Sequence, residues 1–263
     1  MNLDFVIADW FAYADGLSSK AQWLAWARGP APRPRAHLTE MPAVLEMPAV
    51  LRRRIDRLGR LACQVAYWCE PAASAIPLVF ASRYGDAGRS LSLLADLVHG
   101  ELLSPTSFGL SVHNAISAQY AIARAHRLNT VVVSAGLATV EAAIVEASAL
   151  LAAGESEVMI VNYEAPLPDA YRCFEDEPSC EYAWAWLVRA AADGSDKPLP
   201  QFRLALGDGH RDAKGMPSTT RPGGLEILRF VLTGMIPGAA AAGDGRYSDT
   251  LTRAGHWTWS CHV

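Results

Sequence analysis

The sequence is poor in the residue patterns that carry metal, disulfide or nucleotide chemistry. Its five cysteines, Cys63, Cys69, Cys173, Cys180 and Cys261, are an odd number with no C-x-x-C pair. That argues against a disulfide framework or a zinc site and fits free thiols in a reducing compartment. His256, Cys261 and His262 lie close together near the C-terminus, but a lone cluster at a chain end lacks the paired spacing of a zinc site. No glycine-rich phosphate loop occurs, neither G-x-G-x-x-G nor G-x-x-x-x-G-K-[ST]. No G-x-S-x-G elbow occurs either, because Val132 stands where the first glycine before Ser134 is needed. Asp208 and His210, in L-G-D-G-H, read as a solvent loop before they read as an acid/base pair. No metal and no cofactor is expected.

Positive charge is also scarce. Lysine and arginine total 23 against 27 aspartates and glutamates, a formal net charge of −4, which argues against nucleic acid as the main partner. The longest apolar stretch, residues 137–153, is interrupted by Glu141 and Glu146, so membrane insertion is not expected. The opening residues 1–8 carry Asp4 and no basic segment, unlike a signal peptide, and the expected location is cytoplasmic. What is abundant is apolar surface: 51% of 263 residues are hydrophobic and 19% charged, enough for a real core.

Periodicity places the elements. Residues 3–8 read as a short buried strand, and Ser18 or Ser19 caps a helix that ends at Gly29. Pro30, Pro32 and Pro34 exclude regular structure from residues 29–35. Glu40–Leu45 reads E-M-P-A-V-L and Glu46–Leu51 repeats it, which fits a duplication in a tolerant loop. Leu51, Ile55, Leu58, Ala62 and Val65 predict one helix, whose other faces carry Arg52, Arg53, Arg54, Arg57 and Arg60, either a solvated face or a dock for an acidic partner. Strands are predicted at 76–81, 130–133 and 158–161, and helices at 90–99, 111–125 and 137–153. The β-branched run Thr130–Val133 is that of a strand buried on both faces, and the strand–helix–strand unit that follows implies a parallel crossover. Alternation at Tyr182–Val188 and at Phe202–Leu206 predicts antiparallel strands added at a sheet edge. A polar loop (207–224), a helix through Leu225, Leu228 and Leu232, and a strand at 256–261 finish an α/β sandwich with a mixed sheet and flanking helices.

The region from Ser82 to Glu164 carries a set of spaced residues: Ser82, Gly85 and Gly88; Ser104-Pro105 and Asn114; Thr130–Ser134; Ala138-Thr139, Gly154 and Val158-Met159-Ile160. Together they resemble the N-terminal half of β-ketoacyl synthases, thiolase-fold enzymes that condense acyl thioesters. Counted without a gap from Asn114 forward and from Val158 back, the family's nucleophilic cysteine falls on Leu137. A thiol at that strand-to-helix junction would sit in the positive end of the helix dipole; a leucine accepts no acyl group. Asn162-Tyr163 replaces two glycines of the synthases, and the G-T-G-T and K…G-H segments of their C-terminal half are missing. The short, cysteine-free members of the chain length factor type, found with aryl-polyene and related fatty-acid synthesis, are more similar. Their pattern is met at Ser82–Arg89, Leu103–Ala115 and Ser134–Gly136, and more loosely at Trp257-x-Trp259.

The resemblance implies a thiolase-like N-terminal half over 1–190, including a loop over 29–50, with 191–263 completing the sheet of the same domain. It implies no catalysis by the chain itself, a heterodimer with a catalytic β-ketoacyl synthase, and an acyl carrier protein as a further partner. Thr130, Val131, Val132 and Val133 would lie at the subunit interface, and Tyr84, Ser90, Phe108, Ser134 and Leu137 would line the acyl tunnel. His113 is expected to be a satisfied core group. Two other readings stay open: an acyltransferase or hydrolase using Ser134 or a distant cysteine, and a stand-alone module binding acyl carrier protein or acyl-CoA.

Overall fold

The computed structural model describes residues 1–70, 75–191, 199–207, 220–236, 250–253 and 257–262. Asp208, His210 and His256, and most of the loop expected over 207–224, lie outside the described residues.

In chain order the described elements are β1 (Asn2–Ala14), α1 (Lys20–Arg28), α2 (Ala49–Arg52), α3 (Arg57–Cys69), β2 (Leu78–Ala81), α4 (Ala87–Val98), α5 (Pro105–Gly109), α6 (Ala115–Ala123), β3 (Thr130–Val133), α7 (Thr139–Ala152), β4 (Val158–Glu164), β5 (Tyr182–Ala190), β6 (Gln201–Leu206), α8 (Gly223–Gly234), β7 (Thr250–Arg253) and β8 (Trp257–His262). Short 3-10 turns precede α7 at Gly136–Ala138 and follow β4 at Asp169–Phe174. The strands form one eight-stranded sheet in the order β3-β2-β4-β5-β1-β6-β8-β7. The first three are parallel, and every other pairing is antiparallel. The expected mixed sheet with flanking helices is therefore what the chain builds.

Alternation along the strands divides the core between two faces. Val79, Ala81, Val158, Ile160, Trp184 and Trp186 point to one face, beneath α1, α7 and α8. Leu78, Phe80, Met159, Val161, Ala183 and Ala185 point to the other, beneath α3 and α6. On β5 this sorts large from small: Trp184 and Trp186 stack at 3.9 Å on the first face, while the alanines opposite leave room for α3 to lie close against the sheet. Trp259 of β8 meets Trp186 edge-on at 6.4 Å, contacts worth about 0.5–1.5 kcal/mol each beyond their buried area.

Several sequence expectations are corrected. The first strand runs to Ala14 and passes Asp9 through a register shift between Ile7 and Asp9, an irregularity that periodicity alone does not reveal. The helix expected through Leu51–Val65 is two helices, because Asp56 turns outward and caps α3 through the Gly59 N–H. Asp86 likewise starts α4 earlier than Ser90, placing Gly88 inside the helix. Helix α6 begins only at Ala115, and Pro105–Gly109 forms its own short helix. Strand β5 is central, between β4 and β1, and not an edge addition. Conversely Thr130–Val133 is the edge strand and only half-buried, so its β-branched run does not mark a strand covered all round.

The duplicated hexapeptide is not simply a tolerant loop. In the first copy Val44 is buried with φ +47°; its N–H donates to Gln64 Oε1 at 2.9 Å, and Arg52 Nη1 donates to its carbonyl at 3.2 Å. In the second copy Met47 is buried instead, and Pro48 starts α2. The arginine tract is partly internal too: Arg57 donates to both oxygens of Glu181, at 2.9 and 2.7 Å.

Candidate functional site

The parallel strands β2, β3 and β4 end on one side of the sheet, the side where open α/β sheets place ligands. At the end of β3 the chain turns sharply. Gly136 takes φ +57°, a left-handed conformation that a glycine adopts without strain. Thr139 Oγ1 ties the turn by donating to the Gly136 carbonyl at 2.7 Å and accepting from the Ala135 N–H at 3.0 Å. Leu137 occupies the single 3-10 turn between that strand and α7, half-buried. The strand-to-helix junction is thus a tight, glycine-dependent turn with the alkyl side chain of Leu137 at its centre.

Among the described residues around the junction, none pairs a replacement nucleophile with a base. Ser134 is exposed, and its hydroxyl donates to the Arg83 carbonyl at 2.8 Å. His113 and His126 hold the carbonyls of Ser82 and Ile76 through Nε2, at 3.0 and 2.7 Å, which requires a protonated nitrogen there. His113 is therefore the satisfied group expected of it, pressed against Gly85. Cys63, Cys69 and Cys180 are buried, and burial pushes their thiols up, that of Cys180 to about 12, so they stay protonated at neutral pH. Among the described residues no three His, Cys, Asp or Glu side chains gather as a metal site, and no helix is long and apolar enough to cross a membrane.

Buried ionisable groups surround the junction. Glu164, at the end of β4, accepts the Arg83 N–H at 2.7 Å and the Ser82 hydroxyl at 3.4 Å. Burial nonetheless pushes its carboxyl up to about 8, against the lowering effect of those bonds and of the Arg83 charge. Arg83 pairs with Asp176 at 2.7 Å and Glu177 at 3.0 Å, and Glu177 accepts the Gly223 N–H that opens α8. Beneath Leu137, Glu141 is fully buried; it accepts the Trp259 indole N–H at 3.1 Å and faces Arg253 at 3.7 Å. The only sequence sign of this network was Glu141 interrupting an apolar run.

The proposed tunnel residues are dispersed. Tyr84 donates its hydroxyl to the Phe174 carbonyl and lines a cleft of about 560 Å³ that also includes Asp56, Arg57, Asp86 and Glu181. Arg83 links it to Ser134 through the bond described above. Ser90 donates to the Asp86 carbonyl within α4. Phe108, on α5, is 62% exposed. Leu137 adjoins neither Tyr84's cleft nor the smaller one behind Arg83 and Glu164.

The family model for the beta-ketoacyl synthase N-terminal domain matches residues 23–260. The chain belongs to that family. Similar solved structures include the complex of the ketosynthase ApeO with its chain length factor ApeC from Xenorhabdus doucetiae, with a TM-score of 0.77 and 26% identity over 98% of this chain and 99% of that one. The ishigamide ketosynthase/chain length factor is similar at a TM-score of 0.62 and 14% identity, over 78% of this chain and 68% of that one. A beta-ketoacyl synthase from Burkholderia phymatum STM815 gives 0.59 and 12%, over 81% and 66%; at such identities the last two show the shared fold. A search of curated proteins finds no match. This ketosynthase-like chain thus has the thiolase-like fold of its family and a leucine at the junction that its sequence pattern aligned with the nucleophile.

Proposed function

We propose that this chain is a non-catalytic chain length factor subunit that pairs with an active β-ketoacyl synthase and helps to wall the tunnel for a growing acyl chain. The observation that carries this reading is Leu137: a tight turn, its glycine and a helix start follow β3, and the position that the sequence spacing aligns with the family's nucleophile holds a leucine. A leucine fits a wall for an alkyl chain and fits no acyl-transfer step.

Two features support a partner. Among the described residues strand β3 leaves one edge unpaired in the sheet, and an apolar β-branched edge invites pairing with another chain. In addition, nine of the fifteen large exposed apolar side chains among the described residues lie between Leu94 and Leu128, with Leu102 97% exposed. Isolated surface leucines are ordinary, whereas such a concentration on α4–α6 fits a buried protein interface. In this reading Thr130, Val131, Val132 and Val133 face the synthase. Ser90, Phe108, Ser134 and Leu137 become tunnel wall only when the second subunit closes over them, and an acyl carrier protein delivers the chain.

The test is co-expression with a catalytic β-ketoacyl synthase from the same organism. Co-purification, with the synthase losing elongation when expressed alone, is the expected result. Failure to co-purify, together with normal elongation by the synthase alone, would sink the reading. Labelling of Ser134 or a cysteine by an active-site reagent, with turnover lost on mutating that residue, would instead favour an acyltransferase or hydrolase.

A further inference from the structure

The C-terminal strands are wired to the Leu137 turn through one buried guanidinium. Arg253 ends β7, and its side chain is 8% exposed. Its Nη2 donates to the Leu137 carbonyl at 3.4 Å. Its Nε lies 3.7 Å from Glu141 in the first turn of α7, and its Nη1 lies 3.9 Å from Glu226 in the first turn of α8. Any side chain on Gly223 would collide with the guanidinium, so the start of α8 is pressed against it. From β8, Trp259 donates to the same carboxylate oxygen that faces Arg253, Glu141 Oε1. The Leu137 turn is therefore held from below by β7, while β3 and Thr139 hold it along the chain.

This anchorage is loose as well as buried. Arg253 Nε and Nη1 and Glu141 Oε2 make no hydrogen bond among the described residues. Buried charges without full hydrogen bonding are costly, so the arrangement is sensitive to small displacements of the turn it holds. A large hydrophobic side chain would fill the same volume with less penalty, yet it could not grip the carbonyl of Leu137.

From this geometry we infer that Arg253, braced by Glu141, is a positioning residue that fixes the Leu137 turn and thereby sets how far an acyl chain can extend. The inference rests on the reading of Leu137 as tunnel wall. It assigns to residues of the last two strands, far from the junction in sequence, a part in product length.

The test uses the full chain and the pair R253M/E141Q, which removes both charges together and so leaves no lone buried ion. In hydrogen exchange on the chain alone, amides of residues 135–139 are expected to exchange at least tenfold faster, with β3 unchanged. In complex with the catalytic synthase, the variant is expected to co-purify as the wild type does, and its main product to shift by at least one two-carbon extension. Unchanged exchange at 135–139, or unchanged product length in a co-purifying variant, would overturn the inference. Loss of co-purification by the variant alone would overturn it too, by making Arg253 a determinant of association. Failure of the wild-type chain to bind the synthase, with normal exchange changes in the variant, would instead remove the tunnel reading and leave Arg253 as an anchor of the turn.

Discussion

Single side chains here are governed by what burial does to charge. Glu164 is enclosed at the end of β4, and its carboxyl keeps its proton up to about pH 8, whereas an exposed glutamate releases it near 4.5. Between those values the folded chain binds the extra proton, so stability falls as pH rises through that window and is level above it. Glu164→Gln, a neutral isostere, should remove this slope. Thermal melts from pH 5 to 8.5 should show the wild type losing on the order of a few kcal/mol relative to the variant; parallel curves for both would refute the assignment. The strand-to-helix turn at Leu137 was legible in the sequence, because a β-branched run, a glycine and an alanine-rich helix each constrain the residues between them. Glu164 was not, since a glutamate at a strand end looks like any surface carboxylate until the neighbouring strand and Arg83 close over it.

At the scale of an element, the repeated hexapeptide shows one sequence in two local structures. The first copy buries Val44 in a left-handed conformation held by Gln64 and Arg52; the second buries Met47 and passes into α2. What differs is the surroundings, α3 supplying Gln64 to both copies, since its Nε2 also reaches Glu46. Met47→Ala should therefore cost about 2–4 kcal/mol, as a fully buried methionine does. Met41→Ala, the equivalent change in the half-buried position of the first copy, should cost about 1 kcal/mol or less. Equal losses by urea denaturation would show that the two copies are interchangeable. The same principle divided the helix expected from Leu51: an apolar spacing continues through Asp56, but the carboxylate found a backbone N–H to cap.

For the molecule as a whole, the open edge at β3 and the apolar α4–α6 surface are the features a single chain leaves incomplete. Val98→Glu with Leu102→Glu places two charges where both side chains are exposed, so the isolated chain should melt within about 1 °C of wild type, as surface changes usually do. Binding to the synthase should be lost, and with it the rise in melting temperature that a partner binding only the folded state confers. A variant that still co-purifies and is still stabilised would move the interface elsewhere.

The sequence by itself determined the family, the α/β class and most strand and helix centres, because periodicity, turn residues and motif spacing are local. Tertiary structure alone decided that β5 is central and β3 lies at the edge, since strand order depends on which faces find cover and not on any one strand's composition. It also decided that Arg253 and Trp259 meet Glu141 beneath Leu137. Residues more than a hundred positions apart share no local pattern, and only the closed sheet brings their charges and hydrogen bonds to one place.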